Sequence, residues 1–235
     1  MNIEAELKLR DIIPRTYNVK SFRLEINEEA NFKPGQYMIV TLNSDKEISR
    51  YLSISSSPTE KGYIEFTKKM TGSDFCMTLN KLKIGDFVKA RYAFGRFTFE
   101  GEYAKIAFLS GGIGITPIRS ICKFVVDKKI GTDMILVYGN QSIDDIVFKD
   151  DFDLMQKEYS RLKVVHTLCD DTNCDFPVKT GFITGQIVKD AIPDWKERNF
   201  YICGPPAMVD AMNKILINEL NLSKENITLE NFRGY

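Results

Sequence analysis

Along the first hundred residues, apolar and polar positions alternate with a period of two. Ile3, Ala5, Leu7 and Leu9 stand between polar neighbours, Phe22, Leu24 and Ile26 repeat the pattern, and Ile64 and Phe66 continue it. A period of two sends successive side chains to opposite faces of a strand. Residues 37–42 and 87–92 are further predicted strands. Lys33-Pro34-Gly35-Gln36 and Lys83-Ile84-Gly85-Asp86 read as turns, because glycine accepts a positive φ and proline fixes φ. One helix, over residues 73–81, interrupts the series. Short strands at this spacing predict a small antiparallel β-barrel.

From Tyr103 the period changes. Lys105-Ile106-Ala107-Phe108-Leu109 is a nearly continuous apolar run, as expected of a strand buried on both faces. Ile118, Ile121, Cys122 and Val125 then recur at helical spacing. Residues 134–138, 162–168 and 199–203 are further predicted strands. Phe148, Phe152, Met155 and Tyr159 mark one helix between them, and Met208, Val209, Met212, Ile215 and Leu216 mark another. Alternating strands and helices predict a Rossmann-like parallel sheet with helices on its faces. The boundary falls near Glu100-Gly101-Glu102, giving a β + α/β chain with domains at 1–101 and 102–235.

Composition narrows the function. Hydrophobic residues make up 43% and charged residues 27%, a globular balance. Lys plus Arg, at 32, equals Asp plus Glu, at 32, so the excess of positive charge that nucleic acid requires is missing. No basic segment followed by an apolar run opens the chain, and nothing approaches the roughly 18–20 apolar residues of a membrane span. The five cysteines are scattered, which points to a reduced, cytoplasmic setting.

Ser110-Gly111-Gly112-Ile113-Gly114-Ile115-Thr116-Pro117 links a predicted buried strand to an amphipathic helix. Glycines let a ligand approach the backbone, Thr116 suits an N-cap, and Pro117 suits the first helical position. A helix start at the carboxyl end of a parallel strand suits a pyrophosphate. The same turn would also serve simply to pack the helix closely on the strand.

Four segments in order resemble the ferredoxin–NADP reductase superfamily. They are Arg50-Tyr51-Leu52-Ser53, Gly111-Gly112-Ile113-Gly114-Ile115-Thr116-Pro117, Cys203-Gly204-Pro205-Pro206, and Glu230-Asn231-Phe232. The resemblance implies an FAD-binding antiparallel β-barrel followed by an α/β domain that takes NADH or NADPH. It implies that Arg50 pairs with the FAD pyrophosphate, and that Gly72 and Ser73 of Thr71-Gly72-Ser73 bind the same group. Ser53 would lie near the reactive flavin nitrogen, and Thr67 and Lys68 would run beside the ribityl chain. Gly112, Gly114, Thr116 and Pro117, with Gly204 and Pro205, would hold the nicotinamide nucleotide. Cys203 and Glu230 would stand where flavin and nicotinamide meet, with Phe232 or Tyr235 covering the flavin face. The sequence departs from the family at Leu52, where a tyrosine usually stacks on the flavin. Leu52 would still pack against the flavin ring, and Tyr51 would point to the opposite strand face and contact the ribityl or adenine portion of FAD.

Cys169 and Cys174 lack the further thiolates that an iron–sulfur cluster needs, and His166 stands alone, so no metal site is expected. The resemblance leaves three functions open. One is an FAD reductase that serves a separate ferredoxin-like protein or enzyme partner. Another is a reductase of free flavin, and a third is an FAD-carrying subunit of a larger complex. Gln141, Ser142, Asp144 and Asp145 follow the second strand of the α/β half without an arginine, which favours NADH over NADPH.

Overall fold

Two six-stranded sheets divide the chain. The computed structural model describes residues 3–26, 31–43, 47–171 and 174–232. The first half contains β1 (Ile3–Thr16), β2 (Val19–Glu25), β3 (Tyr37–Asn43), β4 (Glu47–Ser53), β5 (Tyr63–Lys69), helix α1 (Asp74–Lys81) and β6 (Phe87–Phe94). Its sheet runs β4-β3-β6-β1-β2-β5 and is antiparallel at each pairing. Curling begins in β1. Its first half pairs with β6, from Ile3↔Tyr92 to Lys8↔Phe87. Register shifts then bend it, and its second half pairs with β2. The sheet's two ends approach at a bridge between Ile54 and Phe66, so it forms a nearly closed barrel. Phe22 and Phe66 stack inside it, 5.2 Å apart. Helix α1 plugs it with Phe75, Cys76 and Leu79; burying a large apolar side chain of this kind stabilises by about 1.5–3 kcal/mol.

The second half contains β7 (Lys105–Gly111), α2 (Ile115–Lys128), β8 (Asp133–Asn140), α3 (Lys149–Glu158), β9 (Leu162–Leu168), β10 (Val178–Thr180), α4 (Gly185–Ala191), β11 (Asn199–Gly204), α5 (Pro206–Lys214) and β12 (Ile227–Asn231). Its sheet is parallel in the order β10-β9-β8-β7-β11-β12. Each face is covered by helices. Side chains of α2 and α3 join one apolar cluster, and those of α4 and α5 join another. The chain reverses direction in the strand order at β7, between β8 and β11, and the carboxyl ends of these strands open a crevice there.

One expectation needs correction. Thr116 is not the N-cap of α2. A 3-10 turn, Gly112–Gly114, runs straight into the helix, so Gly114 takes the cap position and Thr116 lies in the first turn. Its hydroxyl donates instead to the Ile113 carbonyl at 3.1 Å. Pro117 consequently takes the third helical position, still within the turn whose N–H groups need no intrahelical partner.

Candidate active site

The barrel carries a cationic cradle at the start of α1. Ser73 caps the helix by accepting from the Cys76 N–H at 3.4 Å. Thr71, Gly72 and Ser73 are all exposed, and the space where a Gly72 side chain would stand is open. Arg50, half-buried on β4, lays its guanidinium 5.7 Å from the centre of the Phe75 ring in the first helical turn. Lys68 is buried on β5. Burial lowers the pKa of its ammonium; the nearby Cys76 works against this, and the charge of Arg50 lowers the pKa further. Two cations held near each other at a helix N-terminus favour an anion, and the donor set fits a diphosphate.

The residues beside this cradle are unequal. Ser53 is buried at the end of β4. Leu52 is 5% exposed and belongs to the barrel core, whereas Tyr51 is 70% exposed and meets the Tyr37 ring edge-on. Strand alternation thus turns Leu52 inward, on the side where Arg50 lies, and Tyr51 away from it, as expected. The Thr67 hydroxyl is taken up within the protein, bonded to Ser21 at 2.7 Å and to Ser55 at 2.8 Å.

Across from the cradle, a cavity of about 660 Å³ opens at the carboxyl ends of the parallel strands. Gly111, Gly112 and Ile113 form one wall, and Pro205 and Met208 at the start of α5 form another. Gly112 has a φ of 52° and open space beside it, so the backbone here is bare toward the cavity. Gly114 has a different reason to be glycine. A Cβ there would lie 2.3 Å from the Cys203 carbonyl oxygen and 2.5 Å from the Gly204 Cα. Gly114, Thr116, Pro117 and Gly204 are buried and support the cavity from behind. The Tyr138 hydroxyl fixes the turn by donating to the Gly112 carbonyl at 3.0 Å.

The cavity also has a barrel wall, formed by Asn18, Val19 and Lys69. The pattern of the sequence did not single out these residues, because a hairpin tip and a strand end say nothing about a distant partner. Lys69 follows Lys68 on β5, so the two side chains leave opposite faces of one strand. One faces the cradle; the other is the one basic side chain among the described residues lining the cavity. Phe182, 80% exposed, stands at the cavity's far side beyond Gly181.

Ser110, Cys203 and Glu230 lie side by side in register on β7, β11 and β12. They share a face with Tyr201, whose hydroxyl reaches the Thr98 carbonyl at 3.3 Å, so the row looks toward the barrel. The Ser110 hydroxyl donates to the Cys203 carbonyl at 3.2 Å. Cys203 is fully buried; burial, with the Glu230 charge beside it, pushes its thiol well above the ordinary range. It therefore stays a neutral thiol. Glu230 is half-buried, but its Oε2 is fully sheltered and has no hydrogen-bond partner among the described residues. Burial raises its pKa to about 7. Phe232 donates its N–H to the Gly204 carbonyl at 3.3 Å and packs on the core beside this row. Tyr235 lies outside the described residues.

His166 is buried between the rings of Tyr138 and Phe176, and burial lowers its pKa to about 4. It is neutral at ordinary pH and packs as part of β9.

Comparison with known proteins agrees with this architecture. Residues 6–99 match the family profile of the oxidoreductase FAD-binding domain, and residues 108–214 match that of the oxidoreductase NAD-binding domain. The chain is 28% identical over 232 residues to NADH-cytochrome b5 reductase 1 of Mortierella alpina, covering 94% of this chain and 76% of that protein. It is 27% identical over 213 residues to the glycine betaine monooxygenase reductase subunit of Pseudomonas aeruginosa, covering 87% of this chain and 58% of the relative. It spans only 26% of the NADH nitrate reductase of Cucurbita maxima, so several relatives are much longer than the matched region. In structure, the cytochrome b5 reductase domain of Ulva prolifera nitrate reductase superposes with a TM-score of 0.86 at 20% identity, covering 97% of each chain. With an oxidoreductase FAD-binding domain over its barrel half and an oxidoreductase NAD-binding domain over its parallel-sheet half, the chain belongs to the ferredoxin–NADP reductase superfamily of flavin-dependent oxidoreductases.

Proposed function

We propose that this oxidoreductase takes hydride from NADH onto bound FAD and passes the electrons to a separate one-electron carrier. The observation that carries this reading is the placement of β5. Lys68 serves the cradle on one face of the strand, and Lys69 lines the cavity on the other. Flavin and nucleotide sites therefore meet at one strand.

In this reading residues 1–101 bind FAD and residues 102–235 bind the nucleotide. Arg50, Lys68 and the N–H groups of Gly72 and Ser73 in the Thr71-Gly72-Ser73 segment hold the diphosphate. Leu52, buried in the barrel core, leaves the flavin ring without an aromatic platform at this position, and Ser53 stands near its reactive edge. The bare backbone at Gly112 and the helix start at Pro205 receive the nicotinamide nucleotide. When bound, FAD accepts a hydride and can release electrons singly, which no side chain of the chain can do. The Cys203 thiol supplies an uncharged contact beside the nicotinamide, and Glu230, with its pKa near 7, can hold or release a proton there.

Two observations favour NADH. Asp145 lines the cavity with Gln141, and a carboxylate there opposes a 2′-phosphate. Relatives of both plant and fungal origin carry NADH in their names. The relatives' names also include a cytochrome b5 reductase and the reductase subunit of an oxygenase, which supports a separate redox protein as the acceptor. Among the described residues no helix is long and apolar enough to cross a membrane.

Leu52 supports a second reading, reduction of free flavin. An aliphatic side chain stacks less firmly on a flavin than an aromatic ring does. Gel filtration of FAD-loaded protein, followed by NADH turnover with cytochrome b5, a ferredoxin or free FMN as acceptor, separates the two. Retained FAD and turnover with a protein acceptor support the first reading. Flavin lost on the column, with turnover that needs excess free flavin, overturns it.

A further inference from the structure

Arg119 lies on α2, five residues beyond Gly114, and is 4% exposed. Its guanidinium has five N–H groups, and each finds an acceptor. One NH1 hydrogen goes to the Ser55 carbonyl at 3.1 Å, and the other goes to Glu60 Oε2. NH2 reaches Glu60 Oε1 at 3.1 Å and Asp151 Oδ1 at 2.6 Å, and Nε reaches Asp151 Oδ1 at 3.1 Å. Glu60 belongs to the barrel, Asp151 to α3, and Ser55 stands two residues beyond Ser53. Burial disfavours the charged form of Glu60, but the charge and hydrogen bonds of Arg119 hold its carboxyl below the ordinary value.

The next residue repeats the grip. The Ser120 hydroxyl donates to the Ser56 carbonyl at 2.6 Å and accepts from the Gly35 N–H at 3.4 Å. Two consecutive residues of α2 therefore hold two consecutive carbonyls of the segment after Ser53. Glu60 fastens the same segment by accepting from the Ser57 N–H at 2.7 Å. On the barrel side Ser55 is fixed by its hydroxyl to Glu65 at 2.8 Å, and Arg15 links Glu65 at 3.2 Å to Asp151 at 3.4 Å. Helix α2 begins at the glycine turn of the nucleotide cavity, and Ser53 ends the strand that carries Arg50. The network thus joins the two halves of the proposed reaction centre directly.

We propose that Arg119, with Ser120, is a positioning residue for hydride transfer, setting the distance between the flavin-side segment 53–57 and the nucleotide turn 111–114. The inference rests on the NADH-to-FAD reading above. Hydride transfer is steeply sensitive to such a distance, because a misplacement of about 1 Å can cost on the order of a hundredfold in rate. Lysine keeps the charge of arginine but has no planar fork, so it cannot serve Ser55, Glu60 and Asp151 together.

The test uses the full chain loaded with FAD. In Arg119→Lys at saturating NADH, anaerobic bleaching of the flavin is expected to slow about ten- to a hundredfold. The apparent KM for NADH and the FAD content should stay within about twofold of the original, and bleaching by dithionite, which needs no nucleotide turn, should not change. Ser120→Ala, which removes one hydroxyl, should slow NADH bleaching about threefold and covers the case in which Arg119→Lys does not fold. A second readout is amide hydrogen exchange without NADH. In either variant, residues 53–57 and 111–120 should both exchange faster while the β3–β6 pairing is unchanged. A variant that bleaches at the original rate, or slows only through a raised KM, overturns the proposal, as does unchanged exchange in both segments. If the unsubstituted protein is not bleached by NADH, the reductase reading has failed; linked exchange in the two segments would still establish the grip.

Discussion

The barrel and the parallel sheet would offer a negatively charged ligand different kinds of contact. The barrel's cradle depends on side chains: Arg50 and Lys68 bring formal charge to the start of α1. The sheet's cavity depends on backbone: Gly111, Gly112 and Ile113 form its turn, and Lys69, lent by the barrel, is its one basic wall residue among those described. A charged cradle loses affinity gradually when a side chain is removed. A backbone turn tolerates little, because its shape is set by the close packing of main chain on main chain.

The most damaging substitution should therefore be Gly114→Ala. Its Cβ would meet main-chain atoms of Cys203 and Gly204 at 2.3–2.6 Å, where nothing can yield cheaply. We expect a loss at or above the top of the roughly 1–3 kcal/mol range for overpacking, read as a lowered melting temperature and a lost response to NADH. Gly112→Ala, where only the φ of 52° opposes a side chain, should cost about 1–2 kcal/mol. Equal melting temperatures for the two variants would show that main-chain packing does not define this turn.

Next in size, Arg50→Ala should weaken FAD binding about ten- to a hundredfold, as expected for the loss of a charge-assisted contact of about 1.5–3 kcal/mol. Unfolding of the parallel sheet should be unchanged. A variant purified with a full complement of FAD would remove Arg50 from the cradle. Cys203→Ala should slow flavin reduction by NADH about tenfold, equivalent to about 1.4 kcal/mol of barrier, with less effect on FAD content. An unchanged rate would make Cys203 a core residue only.

The last effect concerns pH and is confined to one window. Glu230 holds its proton up to about pH 7 in the folded chain and releases it near 4.5 when unfolded. Between these values the unfolded state binds fewer protons, so stability falls as pH rises through the window and then levels off. Glu230→Gln should remove that slope, a change of at most about 3 kcal/mol across the window, read as a melting temperature that no longer varies with pH there. A slope that persists in the variant would assign it to another group.

How much of this was legible in the sequence follows the same division. The periods of two and 3.6 disclosed the barrel and the sheet, since both come from burying one face of each element. Arg50, Ser73 and the glycine turn carried local signals that a reader can recognise. Thr116 misled, because a 3-10 turn before α2 shifted the cap to Gly114. Helix α4 escaped notice because its seven residues bury only Gly185, Val188 and Ala191, too short a stripe to show a period. Val19 and Lys69 gave no sign of lining the cavity at the end of the parallel strands, and Arg119 gave none of its partners 59 and 32 residues away. Contacts between halves depend on how two finished domains meet, and no local pattern encodes that.

The central claim is that one chain brings NADH to bound FAD across β5. Its most direct test is the visible spectrum of FAD-loaded protein, followed without oxygen as NADH and then NADPH are added to separate samples. A bound-flavin spectrum that bleaches within the mixing time of a turnover assay, and faster with NADH, is the expected result. A retained flavin that neither nucleotide bleaches would contradict it.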